Sequence, residues 1–514
     1  MTALAAARPA ADSRRLIRDF IIVAALALPF VLTLSMTRGL SHDEHQHVAA
    51  GALFAREGLL PYRDFPYFHT PYLVFIYGLL FQATEHLLFV ARLFSVASAT
   101  ASVALVGAVT AQIFRPRGSR VAWLATAGAV LLMLSAAVFT RHVGRAWNHE
   151  PALFFALAAC VAQMAGLRRA HGGWIFAGAL LLGFAIGMRI TYAPLLAPFG
   201  LALLFLVKGG AGRKAALIGW SAAGLAVSLA GVAWLASLAP EQTWFANFEF
   251  AKVNVNYRFA TGEPRTMTLP KKARFLYKEI IREDPGLFAA FIVSLIAAFS
   301  LRRSGRAPLP SELLFLLLCL PFLLVGSFAP SPLFGQYFYP FVFFLVLAGA
   351  HALAMVPEGS HWFRPASMIA VAGVLLSVVR GVGAYRHLPE LTTPREWSPY
   401  ELKKQSTPLR TLPPPGRILT LAPILALEAG RAIYPEFSTG AFAWRISPFV
   451  EPAKAARLKI PTTATLEALL ESNPPAALLL GVEKNGEDEF FTYARQHGYR
   501  KVSLARGGEL WVRP

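Results

Sequence analysis

Long apolar runs, broken by short basic or aromatic segments, follow one another along roughly the first 385 residues. Most are long enough to cross a bilayer core as helices, which takes roughly 20 residues. They fall at about 20–36, 87–113, 121–140, 151–167, 174–188, 191–207, 215–238, 286–301, 311–328, 338–356 and 365–384, which predicts about eleven transmembrane helices. Pro194 and Pro198 leave a second reading for 174–207, as one broken hairpin. Arg14, Arg15 and Arg18 precede the first run, and Met36-Thr37-Arg38 is no small-residue cleavage site. The first run is therefore read as a retained helix with its N-terminus in the cytoplasm.

Loop charge agrees with that count. Arg115, Arg117 and Arg120, then Arg168 and Arg169, then Lys208, Arg213 and Lys214, then Arg302, Arg303 and Arg306 all fall on one side, the cytoplasmic one. The opposite loops, about 37–86, 141–150, 239–285 and 329–337, face outward, and the chain ends outside. From about 385 the apolar bias stops, and Pro413-Pro414-Pro415 marks a linker. Beyond it 417–422 and 476–482 read as strands, 424–431, 462–472 and 487–497 as helices, and the segments around Gly507-Gly508 as a hairpin. The expected organisation is a transmembrane catalytic domain over 1–384 and an extracytoplasmic linker with a small α/β domain over 385–514.

Composition supports the membrane assignment: 55% of residues are hydrophobic and 15% charged, where a soluble chain carries about a quarter charged. A net charge of +20 would suit nucleic acid, but the basic residues sit in short loops between apolar runs, so no nucleic-acid partner is expected. Cys160 and Cys319 both lie inside apolar spans and read as packing residues.

The chemistry gathers in the outward loops. In Ser41-His42-Asp43-Glu44-His45-Gln46-His47, Ser41 and Glu44 have capping-box spacing, and a helix from here would stop at Gly58. That explains the acids as helix-start residues; the other reading aims one carboxylate into a cavity at the membrane face as general base. His42 and His45 at i, i+3, with His47, could also join a divalent metal, although no H-E-x-x-H motif is present. Solvated interfacial histidines are the simpler alternative. Trp147-Asn148-His149-Glu150-Pro151 holds a second acid, either at a capped helix start or lining the same cavity. The 239–285 loop carries Arg258, Arg265, Lys271, Lys272, Arg274 and Lys278. An amphipathic helix at about 271–284 would lay these cations on headgroups, or some would hold a lipid-linked phosphate. Arg189, at the end of an apolar run, is the one charge that departs from nearly charge-free helices.

These residues, in order, resemble the GT-C glycosyltransferases, and within them the protein mannosyltransferase and lipid A aminoarabinose transferase group. The likeness rests on Asp43-Glu44 after the first helix, Pro61-Tyr62-Arg63-Asp64-Phe65, His69-Thr70-Pro71, Arg92, Asn148-His149-Glu150, and Gln336-Tyr337 with Pro340. It covers about 15–385 and the outward C-terminal domain. The resemblance implies transfer of a sugar from a polyprenyl-phosphate donor to an acceptor hydroxyl outside the cytoplasm, with inversion. Asp43 then matches the family's base, Glu44 its acidic neighbour and Glu150 a second acid where Asp is more usual. His42, Arg63, Asp64, His69, Arg92, Asn148, His149, Arg258, Arg274, Gln336 and Tyr337 become candidate substrate contacts. Gln336 stands where many members carry Arg before the Tyr, so the cation that meets the phosphate, Arg258 or Arg274, stays open. The implied setting is a bacterial inner membrane, with lipopolysaccharide, a glycolipid or an envelope polysaccharide as acceptor. A transporter or lipid flippase is the rival class; such proteins place polar groups near the midplane, whereas here they gather outside.

Overall fold

A computed structural model describes residues 9–263, 267–303, 309–483, 486–504 and 508–514. Arg265, Arg306 and Gly507 lie outside the described residues. Among the described residues, eight helices are long and apolar enough to cross a membrane. The chain is a multi-pass membrane protein.

Helix α1 (Pro9–Met36) leads into α2 (His42–Glu57), α3 (Tyr72–Phe81) and α4 (Leu87–Phe114). As the capping pattern predicts, α2 starts after Ser41 and ends where Gly58 takes a left-handed φ of 66°. The predicted span 121–140 is two helices, α5 (Ser119–Ser135) and α6 (Ala137–His142). Ala136 leaves the helical region, and the Asp284 carboxylate accepts the Ala137 N–H at 2.9 Å, so a side chain from far along the sequence starts α6. Helix α7 (His149–Arg169) runs to α8 (Gly172–Met188). The chain then breaks at Arg189, which is extended (φ −155°, ψ 112°), before a 3-10 turn over Ile190–Leu195 and α9 (Leu196–Phe205). The stretch 174–207 is thus two short helices, with Pro194 inside the turn.

Helix α10 (Ala211–Leu238) is followed by α11 (Pro240–Trp244), a π-turn over Phe245–Glu249, and α12 (Phe250–Ala260). The amphipathic helix expected at 271–284 is α13 (Leu269–Phe275) continued by a π-turn over Leu276–Ile281. Four more spans complete the bundle: α14 (Pro285–Arg303), α15 (Ser311–Phe328), α16 (Tyr339–Ala354) and α17 (Phe363–Gly381). Long contacts join α1 to α4, α7 to α8, α8 to α10 and α14 to α17. Lipid gives apolar helices no hydrophobic reason to associate, so close backbone packing carries the contact. A Cβ on Gly286 would stand 2.3 Å from the Gly373 carbonyl oxygen, and one on Gly224 2.4 Å from that of Phe176. Cys160 and Cys319 are free and buried.

After α18 (Ser398–Thr411) the chain forms a small α/β unit. Its sheet has the order β1-β2-β4-β3, with β1 (Ile418–Leu419) parallel to β2 (Ala477–Leu480). The hairpin partners β3 (Arg500–Ser503) and β4 (Glu509–Val512) are antiparallel, and β4 also pairs antiparallel with β2. The strands are shorter than expected, and the three expected helices appear as α19 (Pro423–Glu428), Thr463–Ser472 and Asp488–Gln496. Three helices here have no counterpart in the pattern of the sequence: α18, α20 (Ala441–Ile446) and the helix Pro452–Arg457. Helix α19 packs on α2 and α20 on α12, so this unit sits directly on the segments that follow the first and tenth helices.

The glycine contact is testable. Gly286→Leu should lower the melting temperature in detergent, by an amount equivalent to at least about 2 kcal/mol of overpacking. Gly219→Leu, where nothing lies within 4 Å of an added Cβ, should leave it unchanged.

Candidate active site

The first turn of α2 divides its two acids. Glu44 turns inward and Arg92 of α4 meets it, and both side chains are 0% exposed. The guanidinium is bidentate: Nε donates to Oε1 and Nη2 to Oε2, each at 2.8 Å. Glu44 also accepts the N–H groups of Ala146 and Ser41, both at 2.7 Å. Arg92 donates onward to the carbonyls of Ser35 at 2.8 Å, Arg38 at 2.6 Å and Gly39 at 3.1 Å. Burial works against the charge on Glu44, but Arg92 and the two backbone donors hold its carboxyl below the usual range. This pair ties the end of α1, the start of α2, α4 and the loop before α7 together.

Adjacent helix residues point about 100° apart, and Asp43 points into a cavity of 380 Å³. Among the described residues Asp43 is the only carboxylate lining that cavity and has no hydrogen bond or ion pair. Three arginines line it with Asp43: Arg189, Arg258 and Arg445. Arg189, presented by the break between α8 and the following turn, donates to Asn148 Oδ1 at 3.0 Å and to Thr191 Oγ1 at 3.1 Å. Its guanidinium lies 4.9 Å from the Tyr337 ring centre, and Asn148 is held in turn by the Met188 carbonyl at 2.8 Å. Arg258 of α12 pairs with Glu263. Arg445 of α20 donates to Asn254 Oδ1 at 3.0 Å and stacks over Phe442 at 4.3 Å and Tyr257 at 5.2 Å. Burial, with Arg258 close by, pushes the Arg445 guanidinium down to about 10, so it is charged at neutral pH.

His47 and His69 line the cavity beside one another, their rings 4.9 Å apart. His47 Nδ1 shares a hydrogen bond with the Tyr67 hydroxyl at 3.0 Å, and burial pushes its ring well below the usual histidine value. His149 lies nearly parallel to Tyr337 with centres 5.8 Å apart. The cavity therefore holds fixed cations, one free carboxylate and a neutral ring at His47.

Of the residues singled out by sequence, the cavity gathers Asp43, His42, His69, Asn148, His149, Arg258, Gln336 and Tyr337. It does not gather Glu44, Arg92, Glu150, Arg63, Asp64 or Arg274. Glu150 is buried one residue past the cavity wall and accepts the Gly144 N–H at 3.0 Å. Arg63 and Asp64 pair with each other, and Asp64 closes its own turn by accepting the Leu60 N–H at 2.8 Å. Arg274 is exposed on α13. The three histidines of the first loop diverge: His42 Nδ1 pairs with Glu483 at 2.9 Å, His45 Nδ1 faces the Ile424 N–H at 3.4 Å, and His47 turns to Tyr67. Among the described residues no group of three His, Cys, Asp or Glu side chains converges as metal ligands.

Arg445 and Asn254 were not singled out by sequence, and Arg189 only as a stray charge. Arg189 had a signal, a lone arginine where two apolar runs meet. Arg445 had none, because it comes from the C-terminal unit and reaches the cavity only through the packing of α20 on α12.

The fold is shared with solved structures of low sequence identity, in keeping with the architecture that the sequence resemblance implied. ArnT from Cupriavidus metallidurans, solved bound to undecaprenyl phosphate, superposes with a TM-score of 0.58 at 15% identity, over 96% of this chain and 97% of that one. The apo oligosaccharyltransferase of Archaeoglobus fulgidus superposes with a TM-score of 0.52 at 12% identity, over 92% of this chain and 71% of that one. No protein-family profile matches the sequence, and no curated protein matches it significantly.

Two outcomes follow from this geometry. Arg92→Ala should cost about 3–5 kcal/mol, because it strands a buried carboxylate; thermal melting in detergent reads the loss, and Arg92→Met with Glu44→Leu should recover part of it. His45 is buried between α2 and α19, and burial holds it down to about 4. The unfolded chain takes up that proton first, so stability should fall as pH drops from about 6.5 toward 4, by roughly 2 kcal/mol at about pH 5. A melting series across that range should flatten in His45→Gln.

Proposed function

We propose that this chain is a membrane glycosyltransferase that moves a sugar from a polyprenyl-phosphate donor to an acceptor hydroxyl at the extracytoplasmic face of a bacterial inner membrane. The observation that carries the reading is Asp43, an unpaired carboxylate facing three guanidiniums across one cavity. A free carboxylate with no donor of its own is placed to take a proton. Guanidiniums answer the opposite need, since they stabilise charge that builds on a departing phosphate.

The step balances with these parts. Asp43 accepts the acceptor hydroxyl's proton as that oxygen bonds to the anomeric carbon. The bond from that carbon to the phosphate oxygen breaks, and polyprenyl phosphate leaves with the electron pair from the opposite face, so configuration inverts. The leaving group is already a stable anion and needs no general acid. Arg189 and Tyr337, positioned by Asn148, and Arg258 and Arg445, positioned beside Asn254, are the groups within the cavity that can meet it. Glu44 and Arg92 act on this chemistry through position alone. Undecaprenyl phosphate, the molecule bound to ArnT, has the headgroup chemistry this cavity suits. Lipopolysaccharide, a glycolipid or another envelope glycan supplies the hydroxyl.

The test is mass spectrometry of polyprenyl-phosphate sugars and envelope glycolipids from a deletion strain carrying wild type or Asp43→Asn. Deletion should remove one sugar modification and accumulate its donor. Wild type should restore the modification, while Asp43→Asn, present in the membrane at normal abundance, should cut transfer by roughly 10²–10⁴-fold. Full transfer by Asp43→Asn would remove the base assignment, and an unchanged glycan profile on deletion would remove the transferase reading.

A further inference from the structure

The C-terminal unit reaches the cavity with one short helix. On α20, Phe442 and Arg445 stand at i, i+3 spacing, and both line the cavity. On the facing α12, Asn254, Tyr257 and Arg258 stand at i, i+3 and i+4, so one face of each helix meets the other. Arg445 is clamped by this pairing: Asn254 Oδ1 takes one of its N–H groups, and Phe442 and Tyr257 cover its plane. Its partners are therefore all neutral. Among the described residues it has no carboxylate within ion-pair distance, and its buried Nε has no hydrogen-bond partner. Arg258 beside it has Glu263 as a counter-ion, and Asp43 is the one acid on the cavity wall.

A half-buried guanidinium with no ion pair and a buried, unpartnered Nε, next to a second guanidinium, is costly unless an anion arrives. Guanidinium fits a phosphate through paired, charge-assisted hydrogen bonds. We infer that Arg445 is a phosphate-binding residue contributed by the C-terminal unit, and that with Arg258 it clamps the donor's phosphate. This rests on the polyprenyl-phosphate reading above and adds that the C-terminal unit completes the donor site. Asn254, Tyr257 and Phe442 are positioning residues that hold the guanidinium plane.

The experiment is a titration of the full-length protein in nanodiscs with undecaprenyl phosphate and, separately, with undecaprenol, followed by native mass spectrometry. Wild type should prefer the phosphate over the alcohol. Arg445→Gln should weaken undecaprenyl phosphate binding at least about tenfold and leave undecaprenol binding as it was. Arg445→Lys should fall between them, since it keeps the charge and loses the fork. Arg274→Gln, exposed on α13, should match wild type. If Arg445→Gln does not fold, Arg445→Lys and Asn254→Ala carry the test: weakened phosphate binding in both supports the assignment, and unchanged binding in both overturns it. Wild-type affinity in Arg445→Gln, with the phosphate preference of wild type intact, overturns the assignment and leaves the donor reading standing. No phosphate preference in wild type overturns both.

Discussion

The bidentate pair between Glu44 and Arg92 is the constraint on which the site depends. It is dry, it is fully hydrogen-bonded, and its contacts tie separate pieces of chain together. A buried pair of this kind adds little net stability compared with well-packed apolar groups, yet breaking it is expensive. Its effect here is geometric. By fixing the rotation of the first turn of α2, it turns Asp43 toward the cavity and brings the loop before α7, with Asn148 and His149, to the same wall.

The cavity is electrostatically unfinished. Three guanidiniums and one carboxylate line it, and only Arg258 of the three has a carboxylate in contact. Arg189 and Arg445 are held by amide and hydroxyl oxygens and aromatic faces, which orient a cation without neutralising it. Buried ions are tolerated where an opposite charge completes them, and a phosphate monoester would supply that charge. The histidine at position 47, kept neutral by burial, adds polarity without adding positive charge.

Much of this was legible in the sequence, and the misses have physical causes. The long spans, the helix start at Ser41, the stop at Gly58 and the β3–β4 hairpin follow from local patterns. The break between α5 and α6 does not, because Asp284 imposes it from 147 positions away in sequence. The capping spacing of Glu44 and the match of Asp43 to a base were legible, but the burial of Glu44 was not, because it depends on Arg92 from another helix. Arg63 and Asp64 resembled site residues but satisfy each other at a turn. Arg445 was out of reach because its place depends on one helix of the C-terminal unit packing on α12, a contact with no local signature.

Cryo-electron microscopy of the full-length protein in nanodiscs with saturating undecaprenyl phosphate tests the central claim most directly. Phosphate density is expected inside the cavity, within hydrogen-bonding distance of its guanidiniums and on the side facing Asp43. Phosphate density confined to the lipid-facing surface of the bundle, with the Asp43 cavity holding only solvent, would contradict it.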